Sequence, residues 1–417
     1  MLELNKRILI MHKITKLTLL ALILVFSSGC IQRQLSTTTV QNPNELPIAV
    51  TTPLPGTQTI YTPNTTVATQ PVYTTPIYTD PGYTQPASES TYVQQRTPYL
   101  QGAYSSSYQL KQFISSIAKK YNYDAYELNA IFSTVTRDTE ALKKYNVFKT
   151  AKPTYSKAVQ VGSWDKYRGN FLTTSRINKG VAFWQENAHY LNKAAQKYGV
   201  APEYIVGIIG VETNYGGYTG THSVLNALTT LSLEYKKRSK FFTSELENYL
   251  LMLRDERVDP QRIKGSYAGA FGLAQFMPSS FRDYAVDFNG DGHINLFNKA
   301  DAIGSIANYF IGKGKWQPNV PVTMMTYYNK NRFYGVPAGH KTNYTQQYMY
   351  SIGMRPSSNF NGYKGNVSLI KLSKANRDEL WWGTPNFRAI TRYNPKDHYA
   401  MAVHQLAQAI KLARYGR

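Results

Sequence analysis

The sequence has 417 residues, of which 42% are hydrophobic, so it is long enough to bury a sizeable core in one or two lobes. Its single cysteine excludes an intrachain disulfide. Its formal net charge of +22 favours an anionic partner, although general solubility is the plainer explanation of the same charge.

Residues 1–29 are typical of a bacterial export signal. Four bases precede a short apolar stretch at 17–26, which is too short to span a membrane. Met11 is an alternative start, since a shorter signal follows it directly. The predicted positive region consists of Lys6, Arg7, Lys13 and Lys16.

The signal ends in Ser27-Ser28-Gly29-Cys30, which resembles the lipobox of bacterial lipoproteins, with Ser27 where Leu is usual. We therefore predict that Cys30 is lipidated and anchors the chain to a membrane. A cleaved secretory signal with an incidental cysteine is the alternative. Ile31 replaces the Asp that commonly retains such lipoproteins at the inner membrane. The prediction is an outer-membrane lipoprotein that faces the periplasm of a Gram-negative bacterium.

Residues 30–104 are predicted to be a disordered tether that begins at the lipidated cysteine. They are rich in Thr, Pro, Gln and Tyr, with loose Tyr-Thr-x-Pro repeats at Tyr73, Tyr78 and Tyr83. Few aliphatic residues are available to bury, so no packed core is expected. The segment is almost uncharged, so nearly all of the net positive charge falls in residues 105–417. Nucleic acid is not an expected partner outside the cytoplasm, whereas anionic cell-wall glycan or a membrane surface is.

Residues 105–417 form the predicted folded domain, and their pattern is mainly α-helical. Leu110, Phe113, Ile114 and Ile117 keep helical spacing. Strand-like alternation is weak and occurs only at 320–325 and 367–372. Further helical patterns recur at 181–198, 202–213, 241–256, 302–312 and 399–414.

Glu212 continues an apolar helical stripe. Ile205, Ile208, Ile209 and Glu212 fall at i, i+3, i+4 and i+7 of a helix that begins at Pro202. Burial and the negative end of the helix dipole both disfavour the charged carboxylate, so its pKa should rise toward the range of a general acid. The alternative is a solvated helix end or a satisfied polar group in the core.

A second informative stretch, residues 264–280, is rich in Gly and Ala. Small residues let the backbone approach a ligand closely, and Gln275 offers a donor and an acceptor to sugar hydroxyl and N-acetyl groups. Ser279 is predicted to cap a helix just after Pro278. Close helix packing is the alternative role of such a segment.

Residues 287–301 match the first half of an EF-hand loop, which binds calcium. Asn298 stands at the twelfth position in place of the usual bidentate Glu. Fewer carboxylates favour a structural ion over a sensing one, and a metal-free turn is the alternative. The predicted ligands are Asp287, Asn289, Asp291, the backbone carbonyl of His293, and Asp301.

Together, residues 107–415 resemble the membrane-bound lytic murein transglycosylase B family, which cleaves the glycan strands of peptidoglycan. This resemblance implies a lysozyme-like catalytic core with additional helical lobes, and Glu212 as the sole catalytic acid and base. It implies no catalytic cofactor. The motifs that carry it are 164–168, 207–213, 264–266, 275–280, 287–295, 392–394 and 399–404.

The resemblance also implies a substrate groove. Lys237 and Arg238 match a basic pair that meets the carboxylates of peptide stems, with Lys237 where Arg is frequent. Four tryptophans, Trp164, Trp184, Trp381 and Trp382, are predicted to lie in the core. The sugar-binding residues implied by the match are Tyr167, Ser266, Gln275, Tyr309, Tyr393, Asn394 and Tyr399.

The number of carboxylates distinguishes the candidate mechanisms. Ordinary glycosidases need two, whereas Glu203 should lie at the opposite end of the helix from Glu212. The family reaction needs only one and yields 1,6-anhydromuramoyl ends without consuming water. The alternatives are a hydrolytic muramidase and a non-catalytic peptidoglycan-binding lipoprotein. Complexes of cell-wall synthesis are further candidate partners.

Overall fold

A computed structural model describes residues 96–145, 161–358, 360 and 362–416. The predicted signal, Cys30 and the tether up to residue 95 lie outside the described residues. Within the described ranges, none of the helices has both the length and the apolar character needed to cross a membrane.

The described chain is mostly helical, as predicted, and fourteen α-helices account for most of it. The first seven are α1 (Tyr108–Tyr121), α2 (Ala125–Ser133), α3 (Thr139–Lys144), α4 (Ser163–Gly169), α5 (Thr174–Glu186), α6 (Ala188–Tyr198) and α7 (Pro202–Thr213). The others are α8 (Val224–Glu234), α9 (Ser239–Glu256), α10 (Pro278–Tyr284), α11 (Lys299–Tyr309), α12 (Gln346–Ser351), α13 (Pro385–Tyr393) and α14 (Asp397–Tyr415).

The helix predicted at 202–213 has the predicted bounds, whereas the pattern at 181–198 is two helices. Asn187 ends α5 and precedes α6, and its side-chain Nδ2 donates to the Phe183 carbonyl at 2.8 Å. An Asn competes with helical hydrogen bonds in this way, which explains the break. The helix predicted at 302–312 begins earlier, at Lys299, and passes into a π-turn at Phe310–Gly314.

Two small antiparallel sheets interrupt the helices. β1 (His222–Ser223) pairs with β2 (Lys264–Gly265). A four-stranded sheet has the order β4-β3-β6-β5. The patterns at 320–325 and 367–372 correspond to β3 and β5, shifted by one to three residues, while β6 was not predicted. The four strands are β3 (Thr323–Tyr327), β4 (Arg355–Pro356), β5 (Ser368–Ser373) and β6 (Asp378–Gly383).

Residues 323–383, here called the β-lobe, have a buried apolar cluster of their own. It is separate from the main core, which is built from the helices together with Ile370 and Leu372 of β5. Trp164, Trp184 and Trp382 are buried as predicted, and Trp381 is half-buried. The β-lobe cluster consists of Phe333, Met349, Met354, Phe360, Val367, Leu369, Leu380 and Trp382.

Two of the contacts between the β-lobe and the helical core are polar contacts with helices α4 and α14. The backbone N–H of Ala375 donates to Asp165 of α4 at 2.8 Å. His340 contacts Asp397 at the start of α14, with Nδ1 and Oδ1 2.5 Å apart. These two helices also carry Tyr167 and Tyr399, so the lobe is attached beside the residues predicted to form the groove.

Candidate active site

Helix α7 places Glu212 at the edge of the core. Pro202 occupies its first turn, and Ile205, Ile208 and Ile209 are fully buried, so the predicted apolar stripe is confirmed. The helix ends at Asn214, which adopts a left-handed conformation (φ +51°). Glu212 therefore projects from the last turn of a helix whose other side chains are firmly packed.

The Glu212 carboxyl group is enclosed by protein but remains partly accessible. Burial raises its pKa to about 7, because a charged carboxylate loses its hydration there. Tyr399 donates a hydrogen bond to Glu212 Oε1 at 2.5 Å, which offsets part of that effect by stabilising the charged form. A protonated acid is therefore available at this position near neutral pH.

Four of the predicted groove tyrosines lie close enough to Glu212 for its negative charge to raise their pKa values. Burial is the main cause in each case, and it raises the pKa of Tyr167 to about 12. The pKa values of Tyr309, Tyr393 and Tyr399 are also raised. The structure thus brings together residues from four helical segments around one carboxyl group.

Tyr309 and Tyr393 form an aromatic wall with Phe276. The ring centroids of the two tyrosines are 4.7 Å apart, and Phe276 lies 5.4 Å from Tyr309. Their hydroxyl groups donate to backbone carbonyls, Tyr309 to Arg392 at 2.7 Å and Tyr393 to Ala274 at 2.8 Å. Because Tyr309 is only 4% exposed, it shapes the wall more than it offers an open ring face.

Gln275 and Ser266 both contact the backbone at residues 219–220. Gln275 is in a left-handed conformation (φ +48°), and its Nε2 donates to the carbonyls of Thr219 and Gly272. Ser266 packs against Gly220, where an added Cβ would lie 2.6 Å from the Ser266 nitrogen. The side-chain oxygen of Gln275 is not used in these two bonds and can accept from a ligand.

Lys237 and Arg238 lie on a short 3-10 turn between α8 and α9. Lys237 is exposed, whereas the Arg238 guanidinium is half-buried over the Phe241 ring, 3.8 Å from its centroid. None of the contacts that the structure describes for these two residues reaches the tyrosines around Glu212. Asn394 directly follows α13, so it is adjacent to Tyr393 in the wall.

Two residues near Glu212 were not anticipated from the sequence. Tyr215 has a left-handed backbone (φ +62°), and its ring fills the space left by two glycines. A Cβ at Gly210 or Gly180 would lie 2.5 or 2.6 Å from the Tyr215 hydroxyl. Arg176 donates from Nη1 to the Gly210 carbonyl. These contacts hold the end of α7 in place. No sequence pattern predicts them, because they depend on tertiary packing.

The loop at 287–301 has the backbone arrangement of a cation loop. Asp287 accepts from the backbone N–H groups of Gly290 and Gly292, at 2.6 and 2.8 Å. Asp291 accepts from that of His293 at 3.0 Å. These bonds hold the two carboxylates and the Asn289 amide on one tight turn, which suits an oxygen-liganded cation such as calcium.

Asp301 is fully buried and differs from the other predicted ligands. Its two carboxylate oxygens accept from the backbone N–H groups of Phe288, Asn289 and Asn295, at 2.8, 3.3 and 2.8 Å. Among the described residues, no group of three or more His, Cys, Asp or Glu side chains is placed to hold a metal. A cation here would therefore depend on amide and backbone oxygens beside two carboxylates.

The predicted cap at Ser279 is wrong. Helix α10 begins at Pro278, so Ser279 lies inside its first turn, and Met277 precedes the helix without a side-chain cap. The side chain of Glu245 on α9 binds this end instead, accepting from Ser279 N at 2.9 Å and from its Oγ at 2.8 Å. An acidic partner from another helix satisfies the same N-terminal donors that a local cap would.

The described residues form a mainly helical fold in which one enclosed acid lies among tyrosines, an arrangement typical of glycan-cleaving enzymes of the lysozyme-like class. A model of the transglycosylase SLT domain matches residues 105–408. This chain belongs to that family. It is 42% identical over 321 residues to the membrane-bound lytic murein transglycosylase B of Escherichia coli K12, covering 77% of this chain and 88% of that protein.

Solved structures of related enzymes have the same architecture. The lytic transglycosylase Slt35 of Escherichia coli, in complex with calcium, is 42% identical and superposes with a TM-score of 0.70, covering 76% of this chain and 96% of that one. SltB3 of Pseudomonas aeruginosa, in complex with NAG-anhNAM-pentapeptide, is 27% identical with a TM-score of 0.62. That likeness covers 72% of this chain and 79% of SltB3.

Proposed function

We propose that this protein is a peptidoglycan lytic transglycosylase in which Glu212 is both the acid and the base. The observation that carries the proposal is the enclosed Glu212 carboxyl group, bound by Tyr399 in a site lined by tyrosines, where burial raises its pKa to about 7. Burial raises this pKa, the Tyr399 hydrogen bond offsets part of the rise, and no second carboxylate in the described residues is among its causes. Glu203 lies at the other end of α7, where it pairs with Lys411 at 2.9 Å.

The proposed reaction needs only one protein acid. Protonated Glu212 donates its proton to the glycosidic oxygen between N-acetylmuramic acid and N-acetylglucosamine, and the C1–oxygen bond breaks. The carbonyl of the substrate's N-acetyl group stabilises the positive charge at C1. The ionised Glu212 then takes the proton of the C6 hydroxyl, whose oxygen forms the new bond to C1. The product carries a 1,6-anhydromuramoyl end, and no water is consumed.

The residues around Glu212 orient the catalytic acid and the substrate. Tyr399 holds Glu212 Oε1, so the other carboxyl oxygen is left to face the substrate. Gln275 and Ser266 are assigned to the N-acetyl group and sugar hydroxyls, and Tyr167, Tyr393 and Asn394 to the sugar rings. Lys237 and Arg238 are assigned to the carboxylates of stem peptides.

Analysis of the products tests the reaction. Sacculi digested with this protein should yield muropeptides with anhydro ends, recognised by mass spectrometry because they are one water lighter than hydrolytic products. A digest that contains reducing ends alone would show a hydrolytic muramidase. A protein that binds sacculi but releases nothing would be a binding lipoprotein.

The Tyr399 hydrogen bond should set the pH range of activity. Protonated Glu212 is the active acid, so kcat/KM should be high below its pKa and fall as the pH rises through about 7. Tyr399→Phe removes a bond that favours the charged form, so the fall should move to higher pH by about one pH unit. Tyr393→Phe is the control, because that hydroxyl binds Ala274 and should leave the fall in place.

We also infer a structural calcium ion at 287–301. Asp287, Asn289, Asp291 and the His293 carbonyl are the proposed direct ligands, and a divalent cation would neutralise the two carboxylates that this turn concentrates. Asp301, the fifth predicted ligand, is proposed to close the loop through its hydrogen bonds to the backbone. The end of the loop supports the catalytic groove, since Leu296 accepts from Leu273 N at 2.8 Å, two residues before Gln275. The proposed role of the calcium ion is therefore to keep the turn that contains Gln275 in position.

Calcium should raise the melting temperature of the protein, because it binds only the folded loop. Asp287→Ala should abolish that rise by removing the first ligand. Asp255→Ala, an exposed acid on α9, should keep it. Scanning calorimetry with calcium and with chelator measures the difference, and an equal rise in the Asp287 variant would contradict the site.

The Escherichia coli relative is a membrane-bound enzyme, and we infer for this chain an outer-membrane anchor at Cys30. Four basic residues, a short apolar stretch and the lipobox-like Ser27-Ser28-Gly29-Cys30 support this inference. Cys30→Ala should move the protein from the membrane pellet to the soluble fraction when cells are fractionated. Unchanged sedimentation with membranes would contradict the lipid anchor.

A further inference from the structure

The β-lobe has a strongly uneven charge. Residues 323–383 contain two acids, Asp378 and Glu379, whose side chains are only 7% and 9% exposed and pair with Arg332 and Lys374. The solvent-exposed bases of the lobe are thus left without a neighbouring acid from the lobe itself. Of the eight bases in the lobe, Arg332 and Lys374 are the paired ones and Lys371 is half-buried. The exposed bases are Lys330, Lys341, Arg355, Lys364 and Arg377.

An exposed aromatic and cationic surface lies at one edge of the β-lobe sheet. Tyr327 of β3 is paired directly with Arg355 of β4, so both side chains lie on the same side of the sheet. The Arg355 guanidinium lies 4.9 Å from the centroid of Tyr350, whose ring packs edge-on against the buried Trp382. Tyr327 is 62% exposed and Tyr350 is 36% exposed. We call Tyr327 and Arg355 the tyrosine–arginine surface.

The chemistry of this surface favours a glycan over a lipid bilayer. The large apolar side chains exposed on the described part of the lobe are all tyrosines: Tyr327, Tyr334, Tyr348 and Tyr350. Proteins that insert into a membrane interface normally present Trp, Phe or Leu beside their bases. Tyrosine rings stack on the apolar faces of sugars, and a guanidinium binds carboxylates in a bidentate manner.

The position of the surface allows one strand to reach both it and the catalytic groove. β5 contacts α4, the helix of Tyr167, and β4 lies three strands away at the other edge of the same sheet. Three strand spacings amount to about 14 Å. A polymer that leaves the groove beside Tyr167 can therefore meet the β-lobe within a few sugar units.

We propose that the tyrosine–arginine surface is a second binding site for peptidoglycan, separate from the cleavage groove. Tyr327 stacks on a sugar ring, and Arg355, held by Tyr350, binds a carboxylate of the peptide-substituted strand. Short soluble fragments fill only the groove, whereas sacculi engage both sites. This inference rests on the proposed function, because it takes the same polymer as its ligand.

Sedimentation with sacculi tests the second site. The parent is the full-length protein with Cys30→Ser, which prevents lipidation, and Glu212→Gln, which prevents cleavage of the sacculi. Adding Tyr327→Ala with Arg355→Ser should weaken binding to sacculi about tenfold. Adding Tyr126→Ala with Lys119→Ser, an exposed tyrosine and lysine on α2 and α1, should not. Binding to vesicles of phosphatidylglycerol and phosphatidylethanolamine should be the same in both variants.

Equal binding of the β-lobe variant and its parent to sacculi would overturn the proposal. A parallel loss on vesicles would also overturn it, because the surface would then be a membrane contact. The proposed function is judged separately, on the Glu212 enzyme and its anhydro products. If those products form while the β-lobe variant binds normally, only the second site is wrong, and if none form from any substrate, the proposed function fails.

Discussion

Glu212→Gln should reduce the formation of anhydro muropeptides about 10⁴-fold, the upper range for loss of a general acid, because the same residue is also the base. Glutamine keeps the size of the side chain and can still accept the Tyr399 hydrogen bond, but it cannot give up or take a proton. Binding of glycan should persist. Mass spectrometry of timed digests gives the rate, and sedimentation with sacculi gives the binding.

Glu203→Gln is the matched control, since it removes a carboxylate from the opposite end of the same helix. Its partner Lys411 is half-exposed and remains hydrated, so activity should stay close to that of the unmodified enzyme. If Glu212→Gln turned over sacculi as fast as Glu203→Gln, the assignment of the acid would be refuted.

Asp301→Ala should destabilise the protein by about 3–5 kcal/mol even without calcium. The change leaves three backbone N–H groups, those of Phe288, Asn289 and Asn295, without their buried acceptor. Each unsatisfied buried donor costs about 1–3 kcal/mol, and partial entry of water reduces the sum. Urea unfolding in the presence of chelator measures the free energy of unfolding.

Asp291→Ala provides the comparison within the same loop. Asp291 is exposed, so its loss should change the metal-free stability by only about 0.5 kcal/mol while weakening the response to calcium. A metal-free Asp301→Ala protein as stable as Asp291→Ala would mean that Asp301 acts through the cation alone.

Local patterns predicted the catalytic helix well. The spacing of Ile205, Ile208 and Ile209, with a proline at the start, fixes both the bounds of α7 and the inward position of Glu212. Hydrophobic periodicity did not predict the elements whose positions depend on tertiary contacts. β6 consists of Asp-Glu-Leu-Trp-Trp-Gly, in which Glu379 and Trp382 are both buried, so no alternation of polar and apolar residues marks the strand.

The sequence motifs predicted which residues form the site, but they did not predict how those residues are arranged. The resemblance implied that Tyr309, Tyr393 and Tyr399 share one groove, although they belong to different helices. It did not imply that Tyr399 is nearly enclosed and binds Glu212 directly. The contacts of Arg176 and Tyr215 with the end of α7 were not predicted either. A glycine in the sequence shows that a side chain is missing, but it does not show which ring packs into that space.

The separate apolar cluster of the β-lobe has a consequence for heat inactivation. Since most buried apolar side chains of the described lobe belong to its own cluster and only Ile370 and Leu372 of β5 are buried in the main core, the lobe can open at a lower free-energy cost than the whole chain. Loss of the contacts at Asp165 and Asp397 would then loosen the parts of α4 and α14 that carry Tyr167 and Tyr399. Catalysis should therefore fade on heating before most of the helical structure melts, so the lobe sets the working temperature limit of the enzyme.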